Sequence, residues 1–141
     1  MKKSCAIPKS MFPLKFKVKS PSHALELARG LIRPFRNWTT NNLATRRLDG
    51  DDECKVSPKS AKAEAFCALG ALNRVNSRYQ KKAELYLRRA ALFIQDVKDD
   101  PEPSQYEIFN VNDDDGDKAN HRRVLKMFAR AIKLAKKDEK K

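Results

Sequence analysis

The sequence predicts an all-α fold: a compact bundle of about four helices, with an extended basic N-terminal arm and a short extended segment near residues 106–111. Apolar residues recur at helical spacing in four stretches. The chain has only 4 glycines, and so low a glycine content argues against a turn-rich β-sandwich. A hydrophobic fraction of 40% beside 35% charged residues is typical of a folded but strongly charged chain.

A chain of 141 residues is most simply one domain. We expect residues 1–19 to form the basic arm, residues 20–137 the helical domain and residues 138–141 a charged tail. From Leu14 to Val18 apolar residues alternate with lysines, which is the period of a strand. A lone strand needs a partner, so an arm laid over the helices is the preferred interpretation.

The first helix is expected from about Pro21 to Arg33. Ser20 can cap it, and proline is well tolerated at the first helical position. Pro34 ends it, because the residue before a proline avoids the helical region. Trp38 follows shortly after, and we expect its side chain to fill the end of the core.

The second helix is expected to run from Ser57-Pro58 to about Asn76, after a polar loop at residues 39–56 that contains an Asp-Gly turn. It is apolar on most sides, which indicates a central, buried position. Small residues at Cys67 and Gly70 would let a neighbouring helix approach closely. Gly70 costs about 1 kcal/mol relative to alanine in a helix interior, so close packing is the expected reason for it.

The third helix is expected over roughly Arg78 to Val97 and the last over about Asp117 to Lys137, each with an apolar stripe. Between them, the β-branched and aromatic residues from Tyr106 to Val111 favour a strand or an extended connector. Aspartates stand before the last helix and lysines at its end, which is the arrangement that the helix dipole favours.

The charge is segregated along the chain, whose net charge is +13. Residues 1–20 carry six lysines, and residues 118–141 carry ten basic against two acidic residues. Residues 96–117, which we call the acidic waist, hold nine acids and one lysine. Such basic ends favour a polyanionic partner through counterion release. The alternative is that the tails serve solubility and the acidic waist screens them.

Basic residues on the outer faces of two helices are the candidate nucleic-acid contacts. They are Lys81, Lys82, Arg88 and Arg89 on the third helix, and Arg122, Arg123, Lys126, Arg130 and Lys133 on the last. The two faces would form one patch if the fold places them side by side. The sequence lacks the interleaving of basic and aromatic residues that stacks single-stranded bases. The leading hypothesis is a small non-enzymatic basic protein that contacts nucleic acid or a nucleic-acid-bearing complex.

Catalysis is not expected, because no nucleophile-elbow, HExxH, Walker or dinucleotide motif is present, and no cofactor is implied. Cys67 could serve as a nucleophile with His121 only if the fold brings them together. An EF-hand with Gly116 at its sixth position would need ligands at Val111 and Arg122, which cannot supply them. No metal site is therefore expected.

Two alternatives to nucleic-acid binding stay open. The first is a protein-interaction module, such as a phage-type inhibitor of a host protein, that acts through the acidic waist. The second is a metal-dependent enzyme that holds Mg²⁺ or Mn²⁺ on oxygens from Asn112 and the Asp113–Asp115 cluster. The oligomeric state has no signature in the sequence.

The protein is expected to be cytoplasmic and to have no membrane partner. No run approaches the roughly 18 apolar residues of a membrane span. Lysines 15, 17 and 19 interrupt the apolar run that a signal peptide needs. Three cysteines without a close pair indicate reduced thiols, not a disulfide framework or a zinc site.

Five residues carry a recognisable motif. They are Trp38, the residues Cys67 and Gly70 of the run CALGAL, and the Asn112-Asp113 step before the last helix. An Asp-Gly turn at residues 49–50 accompanies them. This set resembles an uncharacterised family of small helical bacterial and phage proteins over about residues 22–135. Val111 stands where that family tends to have an aromatic residue. The resemblance implies a helical fold in a bacterial cell or phage-infected host, and no activity. From its own chemistry, Asn112-Asp113 is expected to lock the connector to the last helix.

Overall fold

The structure is a computed structural model and describes residues 17–47 and 53–141. These ranges contain five α-helices and three short strands, so the fold is mixed α/β and the all-α prediction is wrong. The helices are α1 (Pro21–Ile32), α2 (Ala68–Val75), α3 (Gln80–Ile94), α4 (Tyr106–Asn112) and α5 (Lys118–Glu139). The strands are β1 (Ala44–Arg47), β2 (Glu53–Lys55) and β3 (Ala65–Phe66). Most of the predicted arm and the Asp49-Gly50 turn lie outside the described residues.

The three strands form an antiparallel sheet in the order β2-β1-β3. Thr45 of β1 faces Lys55 of β2 on one side and Ala65 of β3 on the other. β1 and β2 lie within the segment that the sequence assigned to a polar loop, residues 39–56. The loop prediction is wrong at both strands. They hold few apolar residues and no alternating apolar pattern, and antiparallel backbone pairing identifies them as strands.

The second predicted helix is wrong in its first half. α2 begins at Ala68, and its N-cap is Cys67, not Ser57. Residues 57–62 instead form turns, which Arg74 stabilises by donating to the carbonyls of Pro58 (3.1 Å) and Ser60 (2.6 Å). Ala65 and Phe66 then pair with β1, so the chain is extended where its alanine-rich composition favours a helix.

The segment near residues 106–111 is helix α4, not an extended connector. Ile108, Val111 and Asn112 are buried, and their spacing places them on one face of a helix. This buried face outweighs the strand preference of the β-branched and aromatic residues.

The first, third and last helices are confirmed, with ends within a few residues of those predicted. Ser20 caps α1, its Oγ accepting from the backbone N of His23 at 3.1 Å. Asp117 caps α5 in the same way, accepting from the backbone N of Asn120 at 2.8 Å. Both caps satisfy amides that have no partner inside their helix.

Helix α5 packs against α1, α3 and α4 and supplies much of the core. Its buried apolar residues are Val124, Met127, Phe128, Ala131 and Ala135. α1 runs antiparallel to it, since the start of α1 bonds to Glu139 and the end of α1 bonds to His121. α3 is also antiparallel, with the hydroxyl of Tyr86 donating to Asp138 at 2.8 Å. None of the described helices combines the length and apolar composition that crossing a bilayer requires.

Candidate functional site

Trp38 and Asp113 of the motif bond to the side chain of Asn112, and Cys67 and Gly70 lie on either side of Ala68, whose backbone also bonds to it. We call these residues the motif cluster. The Oδ1 of Asn112 accepts from the indole Nε1 of Trp38 at 2.8 Å and from the backbone N of Ala68 at 2.9 Å. Its Nδ2 donates to the carbonyl of Thr39 at 3.1 Å and to Oδ1 of Asp113 at 2.7 Å. Asn112 is fully buried, so this bonding offsets its desolvation. The amide joins the segment after α1, the start of α2 and the end of α4.

Gly70 lies where the chain before β1 crosses α2. A Cβ at this position would stand 1.7 Å from the carbonyl oxygen of Leu43. The same segment accepts a backbone hydrogen bond from Cys67, from its N to the Leu43 carbonyl at 3.1 Å. The sequence pointed correctly to a close approach at Gly70, but the approaching element is extended chain and not a helix.

Cys67 and His121 make no recorded contact with each other. The Sγ of Cys67 accepts from the backbone N of Gly70 at 3.3 Å and caps α2. Burial raises the pKa of the Cys67 thiol to about 12, so the thiol is neutral near pH 7 and is a poor nucleophile. His121 bonds through Nε2 to the carbonyl of Ile32 at 2.7 Å, and its ring packs 5.3 Å from that of Trp38. Both side chains serve the core.

The aspartates around residue 113 are spread over different partners. Asp113 accepts from the backbone N of Asn41 at 3.0 Å, and Asp114 pairs with Arg123 at 2.8 Å. Asp117 caps α5. Within residues 17–47 and 53–141, no three His, Cys, Asp or Glu side chains stand close enough together to hold a metal ion.

A shallow pocket of about 260 Å³ opens beside the motif cluster. Asn41, Lys55, Phe109 and Asp113 line it, and Cys67 contributes its buried thiol. The carboxylate of Asp113 is already bonded to Asn41 and Asn112, so its position is set by the fold. The pocket lies at the junction of the sheet and α4.

The exposed face of α5 is a stripe of basic side chains. At about 100° per residue, its members fall within an arc of about 100° along about 33 Å of helix. We call this set the basic stripe, and all its members are exposed: Lys118, Arg122, Lys126, Lys133, Lys136, Lys137 and the C-cap Lys140. The acids Asp138 and Glu139 lie outside the arc, where they accept from Tyr86 and Ser22.

Three of the predicted basic contacts are instead held in ion pairs. Arg88 pairs with Glu84 one turn earlier in α3. Arg89 pairs with Asp99 at 2.8 Å, and Arg123 pairs with Asp114 at 2.8 Å. Of the basic stripe, Lys136 lies 3.2 Å from Glu26 of α1, with both side chains about half exposed. Such exposed pairs are weak and do not prevent a lysine from changing partner.

The remaining predicted contacts lie in two places. Lys81 and Lys82 are exposed at the start of α3, where Lys81 lines a hollow together with Arg88 and Glu102. Arg130 lies at the edge of the basic stripe and covers the ring of Phe93 on α3, with its Cζ 4.0 Å from the ring centroid. Arg89 and Arg130 line one hollow between α3 and α5, whereas Lys81 and Arg88 line a different one. The structure therefore does not bring the nine predicted residues together as a single patch.

Sequence reasoning missed several basic residues and one aromatic residue that belong to this surface: Lys118, Lys136, Lys137, Lys140 and Phe93. The four lysines share a helical arc with Arg122 and Lys126, a regularity that can be read from spacing alone. Phe93 carries no such signal, since its neighbour Arg130 is 37 positions away in the sequence.

The comparisons with known proteins give one match. No curated protein and no solved structure matches the chain. A family model matches residues 17–134, which is most of the chain and agrees with the uncharacterised family that the motif residues suggested. The chain therefore belongs to the family of unknown function DUF6197.

Proposed function

We propose that this protein is a non-enzymatic nucleic-acid-binding protein and that the basic stripe of α5 is its contact surface. The observation that carries the proposal is the arc of seven exposed cations on α5, which contains no acidic residue of that helix and in which Lys136 is paired with Glu26. The stripe's length of about 33 Å is enough to contact several phosphates of a nucleic-acid strand. Lysines on a straight helix would meet successive phosphates, and binding would release the counterions that those phosphates hold.

Lysine-rich contacts favour backbone binding over sequence reading. Six of the seven cations in the stripe are lysines, which act as flexible point charges. Phosphate contacts position a protein on nucleic acid without carrying sequence information. We therefore expect similar affinity for oligonucleotides of different sequence.

The interactions of the acidic waist weigh against an inhibitor that works through it. Asp99 and Asp114 are paired with arginines, and Glu107 accepts from Gln95 at 3.0 Å. The two arginines partly neutralise the charge of the acidic waist. Within the described chain the basic stripe has fewer such pairs, so nucleic acid is the better-supported partner.

The same proposal includes a cytoplasmic setting in a bacterium or phage-infected host. Its support is that Cys54 and Cys67 are both free thiols, as expected in a reducing compartment.

A salt titration tests the proposal. Fluorescence anisotropy with a labelled 20-nucleotide DNA should give an affinity that falls steeply with salt, with a log–log slope of about −4 to −6 for five to seven phosphate contacts. The double variant Lys126→Glu/Lys133→Glu should abolish measurable binding at physiological salt.

The matched control is Lys59→Glu/Lys62→Glu, which changes the net charge equally at two exposed lysines far from α5 in the sequence. We expect it to weaken binding only slightly. Equal losses in both double variants would mean that net charge acts without a defined surface. Absence of binding at low salt would contradict the proposal.

A further inference from the structure

An aromatic ring is exposed beside the basic stripe. Phe93 of α3 is 57% exposed, and Val97 after the end of α3 is 50% exposed. Both are among the few large apolar side chains left in solvent within the described chain. They line a shallow hollow of about 100 Å³ together with Leu134 of α5.

Charged residues also line this hollow: Arg89, Asp99 and Arg130. The hydrogen bond from Arg89 lowers the pKa of Asp99, and the charge of Arg130 lowers it further. Arg89 is bonded to Asp99 through two nitrogens, at 2.8 and 3.3 Å. Arg130 has no ion pair within the described residues, and its buried Nε has no hydrogen-bond partner there. Its guanidinium lies over the ring of Phe93, and more than half of the surface of Phe93 stays exposed to solvent.

The hollow is continuous with the basic stripe. Arg130 follows Lys126 by four residues and precedes Lys133 by three and Lys137 by seven, so all four lie on neighbouring positions of the same helix surface. A polyanion lying along the stripe would pass the ring of Phe93 at the middle of its path.

We propose that the ligand is single-stranded nucleic acid, with Phe93 and Arg130 as a stacking site for one of its bases. This inference depends on the proposed function and narrows its ligand class. An exposed aromatic ring and an arginine plane are the groups on which unpaired bases stack, with little regard to sequence. Duplex bases are already stacked on each other, so a duplex could use the stripe but not the ring.

The test compares two ligands and two aromatic substitutions by anisotropy at one salt concentration. The ligands are a 20-nucleotide single-stranded DNA and the blunt duplex of the same sequence. Wild type should prefer the single strand, and Phe93→Ala should weaken single-strand binding about 5- to 100-fold while changing duplex binding less than about twofold. Tyr106→Ala is the matched control, since Tyr106 is 73% exposed on α4 and lies apart from the stripe in the sequence. It should change neither affinity.

A conservative variant separates stacking from folding. Phe93→Trp keeps an aromatic face and should bind single-stranded DNA at the wild-type level or better, whereas a purely structural role would not predict this.

Equal or stronger duplex binding, or an equal effect of Phe93→Ala on both ligands, would overturn the inference and leave the proposed function standing. Absence of salt-dependent binding to either ligand would remove the proposed function itself. A dimer in sedimentation that Phe93→Ala disperses would also overturn the inference, because the ring would then serve contact between copies.

Discussion

The indole Nε1 of Trp38 donates to Oδ1 of Asn112 over 2.8 Å, joining residues that stand 74 positions apart. The same oxygen accepts from the backbone of Ala68, so one amide holds three separate segments of the chain. Motif residues scattered along the sequence therefore share a structural purpose. The cluster fixes the junction between the sheet, α2 and α4.

Asn112→Ala should cost about 3 kcal/mol or more of unfolding free energy, because it leaves the buried Trp38 and Ala68 donors and the Thr39 acceptor without partners. Urea unfolding followed by fluorescence of the single tryptophan measures the loss. Asn110→Ala, at an exposed position on the same helix, is the control and should stay within about 0.5 kcal/mol of wild type. A similar cost for both variants would contradict the role assigned to Asn112.

Gly70→Ala should destabilise the protein by more than about 3 kcal/mol, since the new Cβ would collide with backbone rather than with a movable side chain. Gly116→Ala should cost less, about 1–2 kcal/mol, for a different reason. Gly116 has a φ of 75°, a conformation that alanine resists, but its added Cβ would meet only Thr40 at 3.9 Å. Thermal and urea unfolding of both variants give the order, and a reversal would refute the close approach at Gly70.

Cys67 should resist alkylation in the native protein at pH 8, while Cys54 reacts. Thiolate is the reactive form, and burial raises the pKa of Cys67 to about 12, whereas Cys54 is partly exposed. Iodoacetamide labelling followed by peptide mass spectrometry measures both sites in one sample. In denaturant the two should react at comparable rates. Fast labelling of Cys67 in the native protein would contradict the burial of its side chain in the structure.

Cys67 should also make stability fall at alkaline pH. Its folded pKa of about 12 lies above the ordinary cysteine value of 9.0, so between these values the unfolded chain releases the thiol proton and the folded chain keeps it. The contribution of the thiol to the free energy of unfolding is therefore complete below about pH 9 and declines as pH rises towards 12.

Wild type should lose about 2 kcal/mol of unfolding free energy between pH 9 and 10.5 relative to Cys67→Ser, whose hydroxyl keeps the cap but does not titrate. Burial and the bond to Asp138 also raise the pKa of Tyr86, but that residue is common to both proteins. Parallel pH profiles for the two proteins would contradict the expectation.

The helices that could be predicted from sequence are those whose caps and stripes agree. α1 and α5 have a side-chain cap and an apolar stripe in register, so both signals placed them correctly. The sequence also indicated a structural role for the Asn112-Asp113 step, but the predicted partner, the last helix, is wrong. Asn112 bonds instead to Trp38, Thr39 and Ala68.

The strands could not be predicted because their determinants are not local. Arg46 and Cys54 are paired across the sheet, and neither segment alone has an alternating apolar pattern. Ala65 and Phe66 precede a true helix, so their composition resembles its continuation until Cys67 caps α2. The stacking of Arg130 on Phe93 is tertiary as well, and only the fold brings these two side chains together.

Helix α5 is the element against which α1, α3 and α4 all pack, and it is the last of them to emerge during translation. The apolar residues of these three helices that pack against α5 remain uncovered by it until residues 118–135 have been synthesised. Completion of this core therefore requires that α5 has left the ribosome. A stop codon or frameshift in that stretch would release a product with an open core, which proteases would degrade before it could accumulate.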